Sequence, residues 1–319
     1  MNKKIIIIGG SGFIGTHLIN KLNIKLNVLN LDKKVSKLNI FQKIGDIRDI
    51  NFLKKNLEKD SIIIHLAAEH KDNVEPKELY YEVNCDGTKN IADVAKEKNI
   101  KKIIFLSTVA VYGNESKKIS INEKSNKNPS NHYGKSKLIA EKILQNWARE
   151  KNENELVIIR PTAVFGEGCI GNIFNLAKHI YYKKPLIKSL DIKKSIVSVN
   201  EVVACIYQNI HQSNKLFITN VIGKKDLKVE NICNIFSIFF HGKNYNFYLP
   251  YNITFQILNL INFFTTKIFD KEFIYKKRAE KFLMQTIFES DVYKNIYDNE
   301  DELKKYAKYL SKNINFNKT

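Results

Sequence analysis

KKIIIIGGSGFIG, residues 3–15, is the stretch on which the fold turns. Lys4–Ile8 is a short, continuous apolar run that ends in glycines, the pattern of a strand buried on both faces. Phe13–Leu22 then has helical spacing, and Leu26–Leu31 predicts a second apolar strand. The rhythm continues outward. Ser61–Leu66 and Lys102–Leu106 read as further buried strands, with a long helix over Tyr80–Glu97 between them. His132–Arg149 reads as another helix, followed by a strand at Leu156–Arg160. Strand and helix alternating in this way predict parallel βαβ units with right-handed crossovers. The fold class is therefore α/β, a Rossmann-type doubly wound parallel sheet with a smaller C-terminal α/β domain. After Pro161 the alternation loosens. The expected division is 1–165 for the first domain, with a returning segment near 195–220, and 166–194 plus 221–319 for the second.

Composition narrows the class further. The chain has 319 residues, 44% hydrophobic and 27% charged, enough apolar surface for a real core. Gly 13 and Pro 5 exclude a fibrous or low-complexity chain. The apolar run before the first glycines is too short for a signal peptide or a membrane span. Cys85, Cys169, Cys205 and Cys233 are widely separated, which fits reduced, buried thiols in the cytoplasm and neither a disulfide framework nor a metal site. A formal charge of +19 invites a nucleic-acid reading. Yet Lys and Arg total 52 and arginine stands only at Arg48, Arg149, Arg160 and Arg278, so the basic residues are nearly all lysine. Arginine is the residue that suits bidentate phosphate and guanine contacts, so no nucleic-acid partner is expected. Lysine, isoleucine and asparagine abundant together match the bias that an A/T-rich genome imposes on neutral positions. A preference for anionic ligands or membrane surfaces is the other reading.

Two constellations carry chemistry. Gly9, Gly12, Phe13, Ile14 and Gly15 lie between the first strand and first helix. Glycine serves where the turn is tight and where backbone approaches a pyrophosphate, and the helix N-terminus offers N–H groups to it. Asp32 closes the second strand, placed to accept both hydroxyls of an adenosine ribose and to repel a 2′-phosphate. NAD is thus expected over NADP, with Lys33 and Lys34 as the residues that would favour the phosphate. The second constellation is Thr108, Tyr133 and Lys137. A spacing of four puts Tyr133 and Lys137 on one helix face, where an ammonium would lower the phenol pKa toward neutrality. The Thr108 hydroxyl would hold a substrate alcohol whose proton Tyr133 takes or returns. Lys135, at i+2, points away.

These residues resemble the extended short-chain dehydrogenase/reductases, in particular the NAD-dependent nucleotide-sugar epimerase/dehydratase family. The resemblance rests on GGSGFIG, Asp32, Gly45-Asp46-Ile47, HLAA at His65–Ala68, VNCDGT at Val83–Thr88, Ser107–Gly113, Tyr133…Lys137 and RPTAVFG at Arg160–Gly166. It covers residues 3–220 closely and the remainder loosely. It implies that Asp46 and Ile47 meet the adenine and that Ala67 and Ala68 line the nicotinamide side. It further implies that Asn84 stabilises the active-site helix and that Lys137 reaches the nicotinamide ribose. The substrate it implies is a nucleotide-diphosphate sugar, used in surface polysaccharide precursor synthesis. Glu69 and His70, after HLAA, should border the sugar. Ala163 replaces the family's substrate asparagine, which leaves Asn172 and Lys194 as substitutes. A homodimer through Tyr80–Glu97 and His132–Arg149 of each subunit is the family's habit.

The departures limit the reaction. Val109 and Ala110 stand where family dehydratases carry an acidic pair, so elimination of water is not expected, and neither is the related decarboxylation. The reading is epimerisation at C4 through a 4-keto intermediate. Reduction of a 4-keto-6-deoxy sugar nucleotide is the alternative, and a non-catalytic cofactor sensor is disfavoured by the intact Thr108/Tyr133/Lys137 set. Phe255–Phe269 is the most apolar later stretch, with Ile257, Leu260, Ile261 and Phe264 on one side of a helix. It is expected as a core or lid helix. The other reading is a membrane-surface helix helped by Lys267, Lys271, Lys276, Lys277 and Arg278. The lysine-rich tail Lys304–Thr319 is expected to fray.

Overall fold

The computed structural model describes residues 3–22, 27–71, 74–113, 120–188, 191–245, 247–269 and 284–313. In chain order the first half runs β1 (Ile5–Ile8), α1 (Phe13–Leu22), β2 (Val28–Asp32), β3 (Gln42–Ile44), α2 (Ile50–Asn56) and β4 (Ile62–His65). There follow α3 (Glu78–Tyr81), a π-helical turn over Glu82–Asp86, α4 (Gly87–Glu97), β5 (Lys102–Leu106), α5 (His132–Glu150) and β6 (Glu155–Pro161). The second half continues with β7 (Ala163–Phe165), α6 (Asn172–Tyr181), β8 (Leu186–Ile187), β9 (Lys193–Lys194), β10 (Ile196–Ser198), α7 (Val199–His211) and β11 (Leu216–Val221). The last elements are β12 (Leu227–Lys228), α8 (Val229–His241), β13 (Tyr248–Leu249), α9 (Tyr251–Phe269) and α10 (Asn299–Asn313).

Seven strands form one parallel sheet in the order β11-β6-β5-β4-β1-β2-β3. The order reverses at β1, so the crevice at the carboxyl ends of β1 and β4 is where such sheets bind ligands. The four isoleucines of β1 show why the sheet is covered on both sides. Ile6 and Ile8 pack with Leu53 of α2, Ile91 and Val94 of α4, and Leu144 and Trp147 of α5. Ile5 and Ile7 point the other way, onto Leu18 and Leu22 of α1 and Val202 and Ile206 of α7. Successive side chains of a strand face opposite layers, so an unbroken apolar run serves both. A third cluster joins α6, α8 and α10 through Phe174, Ala177, Ile232, Phe236, Tyr306 and Leu310.

Four expectations need correction. The helix expected over Tyr80–Glu97 begins at Glu78 and is interrupted by the π turn at Glu82–Asp86, where one extra residue per turn is inserted. The tail does not fray from Lys304: α10 runs to Asn313, because Leu303, Tyr306, Ala307 and Leu310 recur at helical spacing and are buried. Residues 314–319 lie outside the described ones. The helix over Phe255–Phe269 is neither core nor covered lid, since Ile257, Leu260, Phe263 and Phe264 are exposed. Of the cations expected beside it, Lys271, Lys276, Lys277 and Arg278 lie outside the described residues. The second strand ends one residue later than expected, at Asp32, and Leu26 lies outside the described residues.

Candidate active site

The glycine turn after β1 is held from three directions. Gly9 has φ +91°, and a β-carbon there would lie 2.5 Å from the Ala67 nitrogen on the loop after β4. At Gly15 a β-carbon would lie 2.5 Å from the Gly10 Cα, so α1 leaves the sheet only because both positions lack side chains. Asn30, fully buried in β2, accepts the Gly10 N–H at 3.0 Å and donates to Ser11 Oγ at 3.0 Å. Asp32 accepts the Ser11 N–H and the Lys34 N–H, both at 2.9 Å. The carboxylate is thereby fixed at the end of β2, beside the turn. Phe13 and Ile14 open α1, where the first N–H groups of a helix have no intrahelical acceptor. Asn30 was not foreseen as part of the site. Its signal was a single polar residue in the otherwise apolar run VLNL.

Farther along the crevice, Asp46 binds Arg48, with the guanidinium donating to Oδ1 at 3.2 Å and to Oδ2 at 2.9 Å. Ile47 is buried, and the β-carbon that Gly87 lacks would lie 2.5 Å from its Cδ1. On the loop after β4, Ala67 donates its N–H to the Ile8 carbonyl at 2.9 Å, and Ala68 is half-buried beside it. Asn84 sits in the π turn. Its amide donates to the Glu69 carbonyl and to Ser136 Oγ, each at 2.9 Å, and its carbonyl accepts the Glu69 N–H at 2.8 Å. One buried side chain thus clamps the loop after β4 to α5.

Thr108 and Tyr133 are brought together by a close approach of backbones. Thr108 caps the short 3₁₀ turn Val109–Tyr112, accepting the Ala110 N–H at 3.2 Å. Asn131 caps α5 by accepting the Gly134 N–H at 2.7 Å. A side chain at Gly134 would put its β-carbon 2.5 Å from the Ala110 carbonyl oxygen, so only glycine lets α5 begin here. The Thr108 side chain lies close enough to the Tyr133 phenol to act on its pKa. Lys137, one turn on, is buried with its ammonium nitrogen 3.9 Å from the centroid of the Phe105 ring, while Lys135 is exposed.

The protonation pattern departs from the expected one. Dense protein around Tyr133 pushes its phenol up to about 12, against the lowering effect of Thr108. Burial pushes Lys137 down to about 7, although Glu141 and Cys85 act to raise it. Desolvation, which disfavours the charged form of each group, outweighs the attraction that was expected to bring the phenol toward neutrality. His65 is also buried and held well below its ordinary value, by desolvation and then by Lys137.

Beneath the site runs a polar chain that sequence reasoning missed. Arg160 of β6 and Glu141 of α5 are both fully buried and pair bidentately, at 2.8 and 2.6 Å. Ser107 Oγ donates to Glu141 at 2.5 Å, and Arg160 donates to the Tyr112 hydroxyl at 2.7 Å. Tyr112 donates in turn to Asn220 at 2.8 Å. The remaining expected residues are more scattered. Glu69 is half-buried and His70 exposed on the loop after β4. Asn172 is exposed at the start of α6, and Lys194 of β9 donates to the Met284 carbonyl. Among the described residues no group of three or more His, Cys, Asp or Glu side chains could hold a metal ion.

The family model described as "NAD dependent epimerase/dehydratase family" matches residues 5–221. The chain belongs to that family. A curated relative from Escherichia coli O157:H7, N-acetyl-alpha-D-glucosaminyl-diphospho-ditrans,octacis-undecaprenol 4-epimerase, is 35% identical over 304 residues, 91% of this chain and 88% of that one. Among solved structures, the UDP-glucose 4-epimerase of Thermotoga maritima with UDP-glucose shares the fold at TM-score 0.77 and 19% identity, covering 97% of this chain and 99% of its own. The Bordetella bronchiseptica enzyme WbmG, in complex with NAD, aligns at TM-score 0.67 and 20% identity over 78% of this chain and 81% of its own. The protein is an enzyme of this family and its cofactor is NAD. The turn at Gly9–Gly15 fits such a group, because the positions nearest Ala67 and Gly10 admit no β-carbon and the Asp32 carboxylate is fixed beside it. No described helix is long and apolar enough to cross a membrane.

Proposed function

We propose that the protein interconverts the C4 epimers of a hexose carried on a diphosphate, through a 4-keto sugar. The carrying observation is the placement of Thr108 close enough to the Tyr133 phenol to act on its pKa, with Lys137 on the next turn of α5. In this reading Gly9, Gly12, Phe13, Ile14 and Gly15 hold the pyrophosphate of NAD and Asp32 its adenosine ribose. Asp46, Ile47, Ala67, Ala68 and Asn84 border it, and Lys137 reaches the nicotinamide ribose. When bound, NAD supplies reversible hydride exchange.

The chain's own residues handle the proton. Thr108 orients the C4 hydroxyl, and Tyr133 takes its proton as the ketone forms and returns it to the oxygen when C4 is rebuilt. A phenol pushed up to about 12 is a poor acid at neutral pH. It must therefore lose its own proton before it can take one from C4. Lys137, pushed down to about 7, is the base assigned to take up that proton, its ammonium then facing the phenolate; both transfers reverse when C4 is rebuilt. Glu69, His70, Asn172 and Lys194 are assigned to the substrate, Lys194 after exchanging its bond to Met284. Val109 and Ala110 offer neither acid nor base, which sets water elimination aside.

The same reading assigns residues 1–165 and 195–220 to the cofactor, and residues 166–194 and 221–319 to the sugar. It also takes the protein to be a cytoplasmic homodimer joined through α4 and α5, where Ile139 is exposed. The test is product analysis by NMR on a UDP-hexose and on a polyprenyl-diphospho-hexosamine without added reductant. Interconversion of C4 epimers supports the reading. No turnover on either, with NADH or NADPH consumed on a 4-keto-6-deoxy sugar nucleotide, overturns it in favour of a ketoreductase.

A further inference from the structure

α9 is built inside out. Ile253, Ile257, Leu260 and Phe264 fall within one stripe of the helix, with Ile261 and Phe263 on its flanks, and all six are exposed. Exposure reaches 59% at Leu260 and 57% at Phe263. The half-covered side is the one that carries Thr254, Asn262 and Thr265 along with Phe255 and Leu258. A surface helix of a globular domain turns its apolar stripe inward, so an outward stripe needs a second apolar phase to cover it.

The charges around it say which phase. Between Glu230 and Asp270 the sequence carries no acidic residue, while Lys243 and Lys267 lie in that interval. β13, which leads into α9, pairs with β8 next to Lys183 and Lys184, and Lys183 and Lys243 both lie over the Tyr245 ring, at 4.4 and 4.5 Å. Exposed aromatics and aliphatics in a stretch that carries lysines and, from 231 to 269, no carboxylate match the interface of an anionic bilayer. A second copy of this chain would have to bring these lysines against their own like.

We infer that α9 lies on an anionic lipid bilayer, and that the diphosphate presenting the sugar to Tyr133 belongs to a membrane lipid. This rests on the C4-epimerase reading for the site, and it deepens that reading by naming the carrier. The E. coli relative acts, by its name, on a sugar carried by diphospho-undecaprenol. A helix lying in the interface would hold the protein at headgroup depth, where such a diphosphate resides.

The experiment uses the full chain with vesicles of phosphatidylethanolamine and phosphatidylglycerol, and with phosphatidylcholine vesicles alone. The wild type should co-sediment with the first set and weakly with the second. Ile257→Asp and Phe263→Asp, both exposed changes, should weaken that binding at least about tenfold with unchanged thermal unfolding. The same variants should lose about tenfold in turnover of a polyprenyl-diphospho-sugar embedded in vesicles, and keep wild-type turnover of a water-soluble short-chain analogue. Failure of the wild type to bind the anionic vesicles would overturn the docking. So would sedimentation velocity showing that either variant splits a dimer, since α9 would then be a subunit interface. Vesicle binding needs no chemistry, so a protein that binds vesicles but epimerises no substrate keeps the docking and loses only the reading of the site.

Discussion

Gly134 of α5 and Ala110 of the 3₁₀ turn are in backbone contact, and that contact sets the distance between Tyr133 and Thr108. The β-carbon of any other residue at 134 would lie 2.5 Å from the Ala110 carbonyl oxygen and 3.0 Å from Pro129 Cβ. Gly134→Ala should therefore push α5 away from Thr108. Overpacking of this kind costs about 1–3 kcal/mol. A shift approaching an ångström at a proton-transfer site costs roughly 10²-fold in rate. Thermal unfolding and turnover measured on the same sample check both. Wild-type turnover with lowered stability would show that the Thr108–Tyr133 geometry survives without this contact.

Tyr133→Phe removes the proton that the site moves while keeping the ring. Turnover should fall by roughly 10²–10⁴-fold. NAD affinity, measured by calorimetry, should stay within about threefold, because only the hydroxyl is lost and the ring keeps its place. A variant that keeps near-normal turnover would remove Tyr133 from the reaction.

Asp32 is fixed by two backbone N–H groups, from Ser11 and Lys34, so its carboxylate cannot swing away from a ribose 2′-phosphate. Like-charge contact there should cost NADP(H) about tenfold or more in affinity relative to NAD(H). Asp32→Asn should narrow that gap by weakening NAD and strengthening NADP. Calorimetry with both cofactors decides it, and equal affinities in the wild type would shift attention to Lys33 and Lys34.

Much of this could be read from the chain because strand and helix periods are local. The isoleucines at 5–8, the glycines at 9, 12 and 15 and the pair Tyr133/Lys137 each announce themselves within a few residues. What could not be read depends on the third dimension. Glu141 and Arg160 are nineteen positions apart, and neither carries a local sign that it is buried with the other. The π turn at Glu82–Asp86 aims Asn84 at Glu69 and Ser136, partners that no helical pattern names. The α9 pattern shows an apolar stripe but not which way it faces. Protonation failed for the same reason: the i+4 spacing of Tyr133 and Lys137 was visible, whereas the burial that dominates both pKa values was not.

The Glu141–Arg160 pair gives a stability test that separates charge from packing. Arg160→Leu leaves the Glu141 carboxylate buried with Ser107 Oγ still donating to it, and removes the donor to Tyr112. Stripping one partner from a buried pair costs about 3–5 kcal/mol. Glu141→Leu combined with Arg160→Leu removes both charges and should recover part of that loss, giving a coupling energy of about 1–3 kcal/mol in a double-mutant cycle. Denaturant unfolding of the four proteins provides the numbers. Simple additivity would mean that the two charges are not coupled.

His65 sets how the fold responds to acid. It is fully buried in β4, with Nε2 3.0 Å from the Thr88 hydroxyl, and desolvation followed by Lys137 holds its pKa well below 6.5. In the unfolded chain it titrates near 6.5. Between those two values the unfolded state holds a proton that the folded state does not, so unfolding is favoured as the pH falls. Stability should be insensitive to this group above about pH 7 and should decline below about 6.5. The slope attributable to it approaches about 1.4 kcal/mol per pH unit. His65→Gln keeps a polar side chain beside Thr88 but has no proton to gain. Chemical unfolding at a series of pH values from 7.5 down to 5 should show a shallower decline in this variant than in the wild type, whatever its absolute stability. Parallel curves would mean that His65 is protonated in the folded protein as readily as in the unfolded chain, against the burial that surrounds it.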